Sequence, residues 1–121
     1  MSIIEPIIAL ASGLCLAVAT ATAGEPRRVF IAGDSTASVY PAERAPREGW
    51  GMRLQPLLAD GWEVRNHARS GRSARSFIEQ GWLDAIAKDL RRGDVLLVQF
   101  GHNDAKVEDP ARYTDPAVAY P

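Results

Sequence analysis

The sequence predicts an α/β fold built on a parallel sheet, because three strand patterns alternate with helical patterns along the chain. The predicted strands cover residues 29–32, 62–66 and 95–100. The first and third are nearly continuous apolar runs, which is typical of strands covered on both faces, and the second alternates apolar with polar residues. Parallel strands joined by right-handed crossovers point the same way, so their carboxyl ends are expected at one edge of the sheet.

The composition is that of a small globular protein. The chain has 121 residues, of which 46% are apolar and 24% charged, and its net charge is −1. This length suggests at most one domain. The near-neutral balance offers no electrostatic reason to expect nucleic acid or an anionic membrane surface as a partner.

Residues 1–23 have the pattern of a secretory signal peptide. The run Ile7–Val18 is mostly apolar and small, and Ala21-Thr22-Ala23 matches an A-x-A cleavage site. Glu5 stands where a basic residue usually precedes such a run. An uncleaved membrane anchor is the alternative, although the seventeen residues from Ile7 to Ala23 are marginal in length for a membrane span.

Removal of that segment would also remove Cys15, the only cysteine. The remaining domain, residues 24–121, would then have no thiol for a disulfide, a metal site or a nucleophile. We therefore expect a secreted or periplasmic protein that works without nucleotide cofactors and leaves the membrane after cleavage.

The first strand runs into the turn Gly33-Asp34-Ser35-Thr36. Glycine lets the backbone bend, and the three polar residues are good helix N-cap types, so we expect Ser35 near a helix N-terminus. Simple helix capping is the ordinary explanation of such a turn. A hydroxyl at the carboxyl end of a buried parallel strand is also placed where open α/β sheets bind ligands.

Helices are predicted on either side of the second strand. Residues 50–58 carry apolar side chains at helical spacing, and Pro56 is expected to kink or shorten that helix. After the second strand, a short helix around Phe77 is followed by a helical stripe over residues 83–90. Residues 107–121 are polar, contain three prolines and are expected to form a loop.

Each loop that follows a strand carries a group that acyl transfer needs. Ser35 offers a nucleophile after the first strand. Gly71 allows a backbone N–H to approach an oxyanion where a Cβ would crowd the acyl group, and Asn103 offers a side-chain donor. A helix cap, a plain turn and an Asx-turn would explain the three residues separately. Their occurrence together at matched strand ends favours the catalytic interpretation.

These residues resemble a known family. Gly33-Asp34-Ser35, Gly71 and Gly101-His102-Asn103-Asp104 are similar to the first three sequence blocks of the SGNH (GDSL) hydrolase superfamily. The flanking segments resemble its rhamnogalacturonan acetylesterase branch, and they are Gly49-Trp50-Gly51, Asn66–Phe77, Gln99-Phe100 and Glu108–Pro116. The resemblance covers essentially all of the chain after the signal segment.

The resemblance implies a flavodoxin-like three-layer α/β/α fold and a serine esterase without cofactor or metal. Ser35 would be the nucleophile. The oxyanion hole would consist of the Ser35 and Gly71 backbone N–H groups and the Asn103 side chain. The implied partner is an acetylated pectic polysaccharide or oligosaccharide.

The sequence departs from the family at its last block, an Asp-x-x-His that supplies the general base. No histidine follows His102. The resemblance therefore implies that residues 24–121 are the N-terminal part of a longer domain, expected to fold poorly and to show little activity alone, since the third strand would present an open edge. We do not expect His67 or His102 to replace the base, because base geometry must be met first.

The alternative function is a non-catalytic module that binds an anion or a carbohydrate. A polar turn at a helix N-terminus is able to hold an anion, but the G-x-G-x-x-G and P-loop patterns are both absent from the sequence. Arg69, Arg72 and Arg75 either face acidic galacturonate units or form a solvated basic turn.

The first testable prediction is export with loss of residues 1–23. Protein recovered from the medium or the periplasm should begin at Gly24, because the A-x-A site ends at Ala23. N-terminal sequencing measures this directly. Soluble cytoplasmic protein that keeps Met1 would contradict the secretory interpretation.

Overall fold

The computed structural model describes residues 24–119, and they form an α/β unit around a three-stranded parallel sheet. The strands are β1 (Arg27–Gly33), β2 (Trp62–Asn66) and β3 (Val95–Gln99). Their order is β2-β1-β3, with Ile31 paired to Asn66 on one side and to Leu97 on the other. The predicted class and strand direction are confirmed. The proposed signal peptide lies outside the described residues.

Within residues 24–119, three short α-helices accompany the sheet: α1 (Ala74–Glu79), α2 (Trp82–Asp89) and α3 (Pro116–Ala119). The first two confirm the helices predicted between the second and third strands. The third corrects the end of the loop predicted over residues 107–121, while residues 107–115 contain no helix or strand, as predicted. Proline is favoured at a first helical position, and the Asp115 carboxylate caps this one by accepting from the Ala117 N–H at 2.9 Å.

The start of α1 is fixed by a reciprocal pair of serines. Ser73 Oγ accepts from the Ser76 N–H at 3.2 Å, and Ser76 Oγ accepts from the Ser73 N–H at 2.9 Å. This capping box satisfies two N–H groups that a helix start otherwise leaves free. Gly81, at φ +79°, then turns the chain from α1 into α2.

The predicted helix over residues 50–58 is wrong in type, because the chain forms two 3-10 turns there, Trp50–Arg53 and Gln55–Leu57. Pro56 provides no N–H for a continuous helix. The Gln55 side chain turns to β2 instead, donating to the Trp62 carbonyl at 3.0 Å and accepting from the Val64 N–H at 2.8 Å. An amide side chain therefore occupies the free edge of β2.

The core lies between the sheet and the two helices. Phe30 and Ala32 of β1 pack there with Phe77 of α1 and Ile86 of α2, and all four are at most 1% exposed. On the opposite face of the sheet, 3-10 turns cover the side chain of Ile31. Helices therefore cover one face of β1, and the 3-10 turn at Gly51 contacts the other. The expectation that the third strand is covered on both faces is wrong, because Val95 and Val98 of β3 are exposed.

An ion-pair cluster closes the amino end of the sheet. Arg28 is buried, and it donates to Asp94 Oδ2 at 2.6 Å and to Asp89 Oδ1 at 3.1 Å. It also donates to the Asp89 carbonyl at 2.6 Å, which satisfies the end of α2. The hydrogen bond from Arg28 lowers the pKa of Asp94 to about 2. One guanidinium thereby joins β1, α2 and the turn before β3.

We predict that Asp94→Asn destabilises the fold and removes part of its acid sensitivity. Because the folded pKa lies below the usual 3.8, the ionised carboxylate stabilises the fold above pH 3.8, and this contribution is lost as the pH falls toward about 2. Urea unfolding at a series of pH values measures both effects. Asp60→Asn, which removes an exposed carboxylate outside the cluster, is the control. Equal acid profiles for both variants would contradict the role of Asp94.

We also predict that Gly51→Ala is destabilising. An added Cβ would lie 2.3 Å from Asn66 Nδ2 and 2.6 Å from the Ala37 carbonyl oxygen, so the turn would have to move off the sheet. Such overpacking costs about 1–3 kcal/mol, measured as the change in the free energy of unfolding. Gly24→Ala is the matched control, because nothing lies within 4 Å of its added Cβ. A Gly51→Ala protein as stable as that control would show that the turn yields freely.

Candidate active site

Three loops leave the carboxyl edge of the sheet, and they carry the three residues that the sequence singled out. Ser35 follows β1, Gly71 follows β2 and Asn103 follows β3. Because the strands are parallel and adjacent, all three loops emerge on the same side. Hydrogen bonds between the loops then fix their relative positions.

The turn that carries Ser35 is organised by the buried carboxylate of Asp34. Its Oδ1 accepts from the Thr36 N–H at 2.9 Å, and its carbonyl accepts from Ser38 Oγ at 2.8 Å. The chain therefore makes an Asx-type turn. The expected helix N-terminus is wrong, because residues 35–41, which directly follow Asp34, contain no helix. Ser35 is half-buried, and among residues 24–119 neither its Oγ nor its N–H has a hydrogen-bond partner.

Tyr40 links this turn to the loop that carries Gly71. Its hydroxyl donates to the Ser35 carbonyl at 2.7 Å and lies 3.3 Å from Ser70 Oγ. The Arg47 guanidinium lies over the Tyr40 ring, 4.7 Å from its centroid. No pattern in the sequence indicates this link, because residues 39–48, which include Tyr40, follow neither a helix nor a strand period.

Gly71 has a φ of +77°, a backbone conformation that disfavours any other residue. Its N–H has no acceptor in the part of the chain that the structure describes. An added Cβ would meet nothing within 4 Å. The backbone conformation at this position therefore requires glycine. A Cβ here would not clash with any atom of residues 24–119.

Asn103 is 2% exposed, and both atoms of its carboxamide have hydrogen-bond partners. Its Nδ2 donates to the Arg72 carbonyl at 3.0 Å, and its Oδ1 accepts from Arg112 Nη1 at 3.4 Å. An amide nitrogen has two N–H groups, so one has no acceptor within residues 24–119. The Asx-turn suggested as an ordinary explanation is not formed, since Oδ1 accepts from a guanidinium and not from the backbone two residues on.

The sequence analysis named Asp104 only as the last residue of a motif and predicted no role for it. In the structure its carboxylate connects two segments of the site. Its Oδ1 accepts from the Ala74 N–H at 2.9 Å, and its Oδ2 accepts from the Gly101 N–H at 3.0 Å. The carboxylate therefore clamps the first turn of α1 to the loop after β3. The spacing of 30 residues between Asp104 and Ala74 carries no periodic signal that the sequence reveals.

A polar cluster borders Ser35 on the β3 side. Gln99 Oε1 accepts from Trp50 Nε1 at 3.2 Å and lies 2.7 Å from Thr36 Oγ1. The Trp50 N–H donates to the Thr36 carbonyl at 2.9 Å. The preceding Gly49 packs so closely that an added Cβ would lie 2.2 Å from the Ser38 carbonyl oxygen. The 49–51 segment is therefore seated directly on the Ser35 turn.

Neither histidine forms a hydrogen bond with Ser35 in the described part of the chain. The His67 ring stacks on Phe30 with centroids 5.7 Å apart, and burial lowers its pKa. His102 is exposed. The position of a general base at Ser35 is thus not filled by a residue between 24 and 119.

The three arginines after β2 have different surroundings. The Arg69 guanidinium lies 4.1 Å from the centroid of the Trp82 ring. Arg72 donates to Gln80 Oε1 at 3.0 Å and to the Ser70 carbonyl at 2.9 Å. Arg75 pairs with the Glu79 carboxylate at 3.6 Å. Within residues 24–119, Arg69 and Arg72 therefore keep positive charges that no carboxylate neutralises.

Within 24–119, no three His, Cys, Asp or Glu side chains gather in a group able to hold a metal ion. None of the helices in this range is long and apolar enough to cross a membrane.

Relatives of this chain include several esterases. The chain is 49% identical over 90 residues to rhamnogalacturonan acetylesterase RhgT of Bacillus subtilis, covering 74% of this chain and 39% of that protein. It is 42% identical over 77 residues to the rhamnogalacturonan acetylesterase of Emericella nidulans, covering 63% of this chain and 28% of that protein. No family model matches the sequence. The chain spans about two fifths of the length of the first relatives.

The fold has a counterpart among solved structures. The crystal structure of YxiM from Bacillus subtilis aligns with a TM-score of 0.63 and 35% sequence identity, covering 69% of this chain and 24% of that one. YxiM is also among the sequence relatives, where it is described as an uncharacterized esterase. The sheet, the loops at its carboxyl edge and these relatives agree on one classification. The chain is therefore similar to the rhamnogalacturonan acetylesterases, and its fold is that of the SGNH (GDSL) hydrolase superfamily.

Proposed function

We propose that this chain carries the nucleophile and the oxyanion hole of a serine esterase that removes acetyl groups from carbohydrate esters. The observation that carries the proposal is a set of three N–H donors without acceptors in residues 24–119, on loops at the edge where the Ser35 hydroxyl stands. They belong to the Ser35 backbone, the Gly71 backbone and the Asn103 side chain. Unoccupied donors at such an edge suit a ligand oxygen that becomes negatively charged.

The proposed reaction proceeds in two steps. Ser35 Oγ attacks the acetyl carbonyl as a general base removes its proton, and the carbonyl oxygen becomes an oxyanion that accepts from the three N–H groups. The sugar hydroxyl leaves with a proton, and an acetyl ester remains on Ser35. Water then attacks this ester through the same oxyanion geometry, which releases acetate and restores the hydroxyl.

The substrate class is argued from the relatives and from charge. Relatives are described as rhamnogalacturonan acetylesterases and, in Xylanibacter ruminicola, as an acetylxylan esterase. Arg69 and Arg72 flank Gly71 with charges that no carboxylate of residues 24–119 neutralises. Guanidinium groups pair well with carboxylates, so we favour acetylated chains that contain uronic acid over neutral xylan. A secreted or periplasmic location, as expected from residues 1–23, would suit a polysaccharide substrate.

The rival interpretation as an anion-binding module has less support. It relied on a helix N-terminus at Ser35, and the residues there form an Asx-type turn without a following helix. The dipole that would attract an anion is therefore missing at this point. The esterase remains the function that the site supports best.

We predict that Ser35→Ala abolishes acetyl ester hydrolysis and that Asn103→Ala leaves a weak residue of it. Loss of the nucleophile removes the covalent route, and loss of one oxyanion donor costs about 10²–10³ in kcat. The full-length gene product is assayed on 4-nitrophenyl acetate, on acetylated rhamnogalacturonan and on acetylxylan. A fluorophosphonate probe should label the native protein at Ser35, as located by peptide mass spectrometry.

Two outcomes would overturn parts of this proposal separately. Labelling or turnover that persists in Ser35→Ala would exclude Ser35 as the nucleophile. Unchanged kcat in Asn103→Ala would show that the carboxamide is not an oxyanion donor. Binding of inorganic phosphate without any labelling would favour the anion-binding module instead.

A further inference from the structure

We propose that Arg112 is a positioning residue for the oxyanion hole, whose guanidinium holds the carboxamide of Asn103 so that its second N–H faces the reacting carbonyl. The inference deepens the proposed function and rests on it. Arg112 belongs to the segment Glu108–Pro116, which the sequence analysis singled out and to which the proposed reaction assigns no role. The contacts of that segment lead directly to Asn103.

First, two hydrogen-bond partners fix the orientation of the Asn103 amide. The Arg72 carbonyl lies 3.0 Å from Asn103 Nδ2, and Arg112 Nη1 lies 3.4 Å from Oδ1. A carbonyl accepts only and a guanidinium donates only, so exchanging the amide oxygen and nitrogen would break both contacts. Without Arg112, the Arg72 contact alone would have to hold the orientation of this buried side chain.

The second step is the support of Arg112 itself. Its Nε donates to Asp109 Oδ2 at 2.6 Å, and its backbone N–H donates to the Asp109 carbonyl at 3.0 Å. The hydrogen bond from Arg112 lowers the pKa of Asp109, which keeps that carboxylate charged. The guanidinium is therefore fixed by an ion pair within one turn, and its contact with Asn103 is left with little freedom.

The third step is the connection of this turn to the loop after β3. The Asp109 N–H donates to the Lys106 carbonyl at 2.9 Å. The N–H of the buried Thr114 donates to the Asp104 carbonyl at 3.0 Å, directly beside Asn103 in the chain. Backbone bonds at both ends thus set the distance between Arg112 and the carboxamide. Residues 109–114 therefore hold Arg112 in place next to Asn103, the proposed oxyanion donor.

The chemical consequence concerns the transition state more than the bound substrate. A cation at Oδ1 draws electron density from the amide and makes its N–H a stronger donor. The ester carbonyl carries a negative charge only as the bond to Ser35 forms. An interaction made chiefly in the transition state changes kcat more than KM.

The test is a double-mutant cycle in the full-length gene product. Arg112→Met keeps much of the side-chain volume but removes the charge and the donors, and we expect kcat on 4-nitrophenyl acetate to fall about 10- to 100-fold with little change in KM. In an Asn103→Ala background, the same substitution should cause no further loss, because its effect passes through the missing amide. Arg112→Lys should restore part of the rate.

Arg65→Ala is the matched control, since Arg65 also forms a partly exposed ion pair, with Glu63 at 2.9 Å, and lies on β2 outside the site. It should leave kcat unchanged. Thermal unfolding of every variant detects a loss of folded protein, and if Arg112→Met unfolds, the cycle is run with Arg112→Lys.

Failure of this inference is distinguishable from failure of the esterase. If turnover depends on Ser35 and Asn103 while Arg112→Met matches the control, only the positioning role is overturned. A loss that is equal in the Asn103→Ala background indicates a structural role, and a change confined to KM indicates substrate contact; both overturn the inference. Turnover that does not depend on Ser35 or Asn103 overturns the esterase and the inference together.

Discussion

Strand β1 is hydrogen-bonded to a parallel strand on each side, and the position of the site follows from this double pairing. Because β2 and β3 run in the same direction as β1, the three loops that carry Ser35, Gly71 and Asn103 must leave the sheet at one edge. The pairing is stable because β1 is buried on both faces, with Phe30 packed under the helices and Ile31 under the 3-10 turns. At the other end, the Arg28 cluster closes the sheet and leaves the carboxyl edge free for function.

The site itself is held by side chains that bond to backbone groups of neighbouring loops. Asp34 shapes its own turn, Tyr40 reaches the Ser35 carbonyl, and Asn103 reaches the Arg72 carbonyl. Asp104 adds the contact between the start of α1 and the loop after β3. Each bond removes a way in which one loop could shift relative to another, which is what preorganised donors require. Helix dipoles contribute little at Ser35, where no helix begins.

The sequence predicted secondary structure best where burial of one face imposes a regular spacing on the apolar residues. Strands β1, β2 and β3 and helices α1 and α2 follow apolar patterns that local sequence contains. The 3-10 turns after Trp50 were missed because the Gln55 side chain bonds to β2, a tertiary contact that no spacing rule reveals. The three proposed site residues were found because each follows a strand. The sequence analysis named Arg112 only as part of a segment and predicted no role for it. Its proposed role depends on a hydrogen bond to Asn103, which exists only in the folded chain.

Gly49 packs directly against the backbone of Ser38, and this contact limits where the chain can accept insertions. Tyr40 and Trp50 tie both ends of the intervening stretch to the Ser35 turn, through the Ser35 and Thr36 carbonyls. Residues 41–48 between these ties are all exposed. Loop closure grows costlier only slowly with length, so insertions here would leave the ties in place at a small entropic cost. This stretch is therefore a place where related sequences, or a designer, can add a specificity loop beside the serine without rebuilding the sheet.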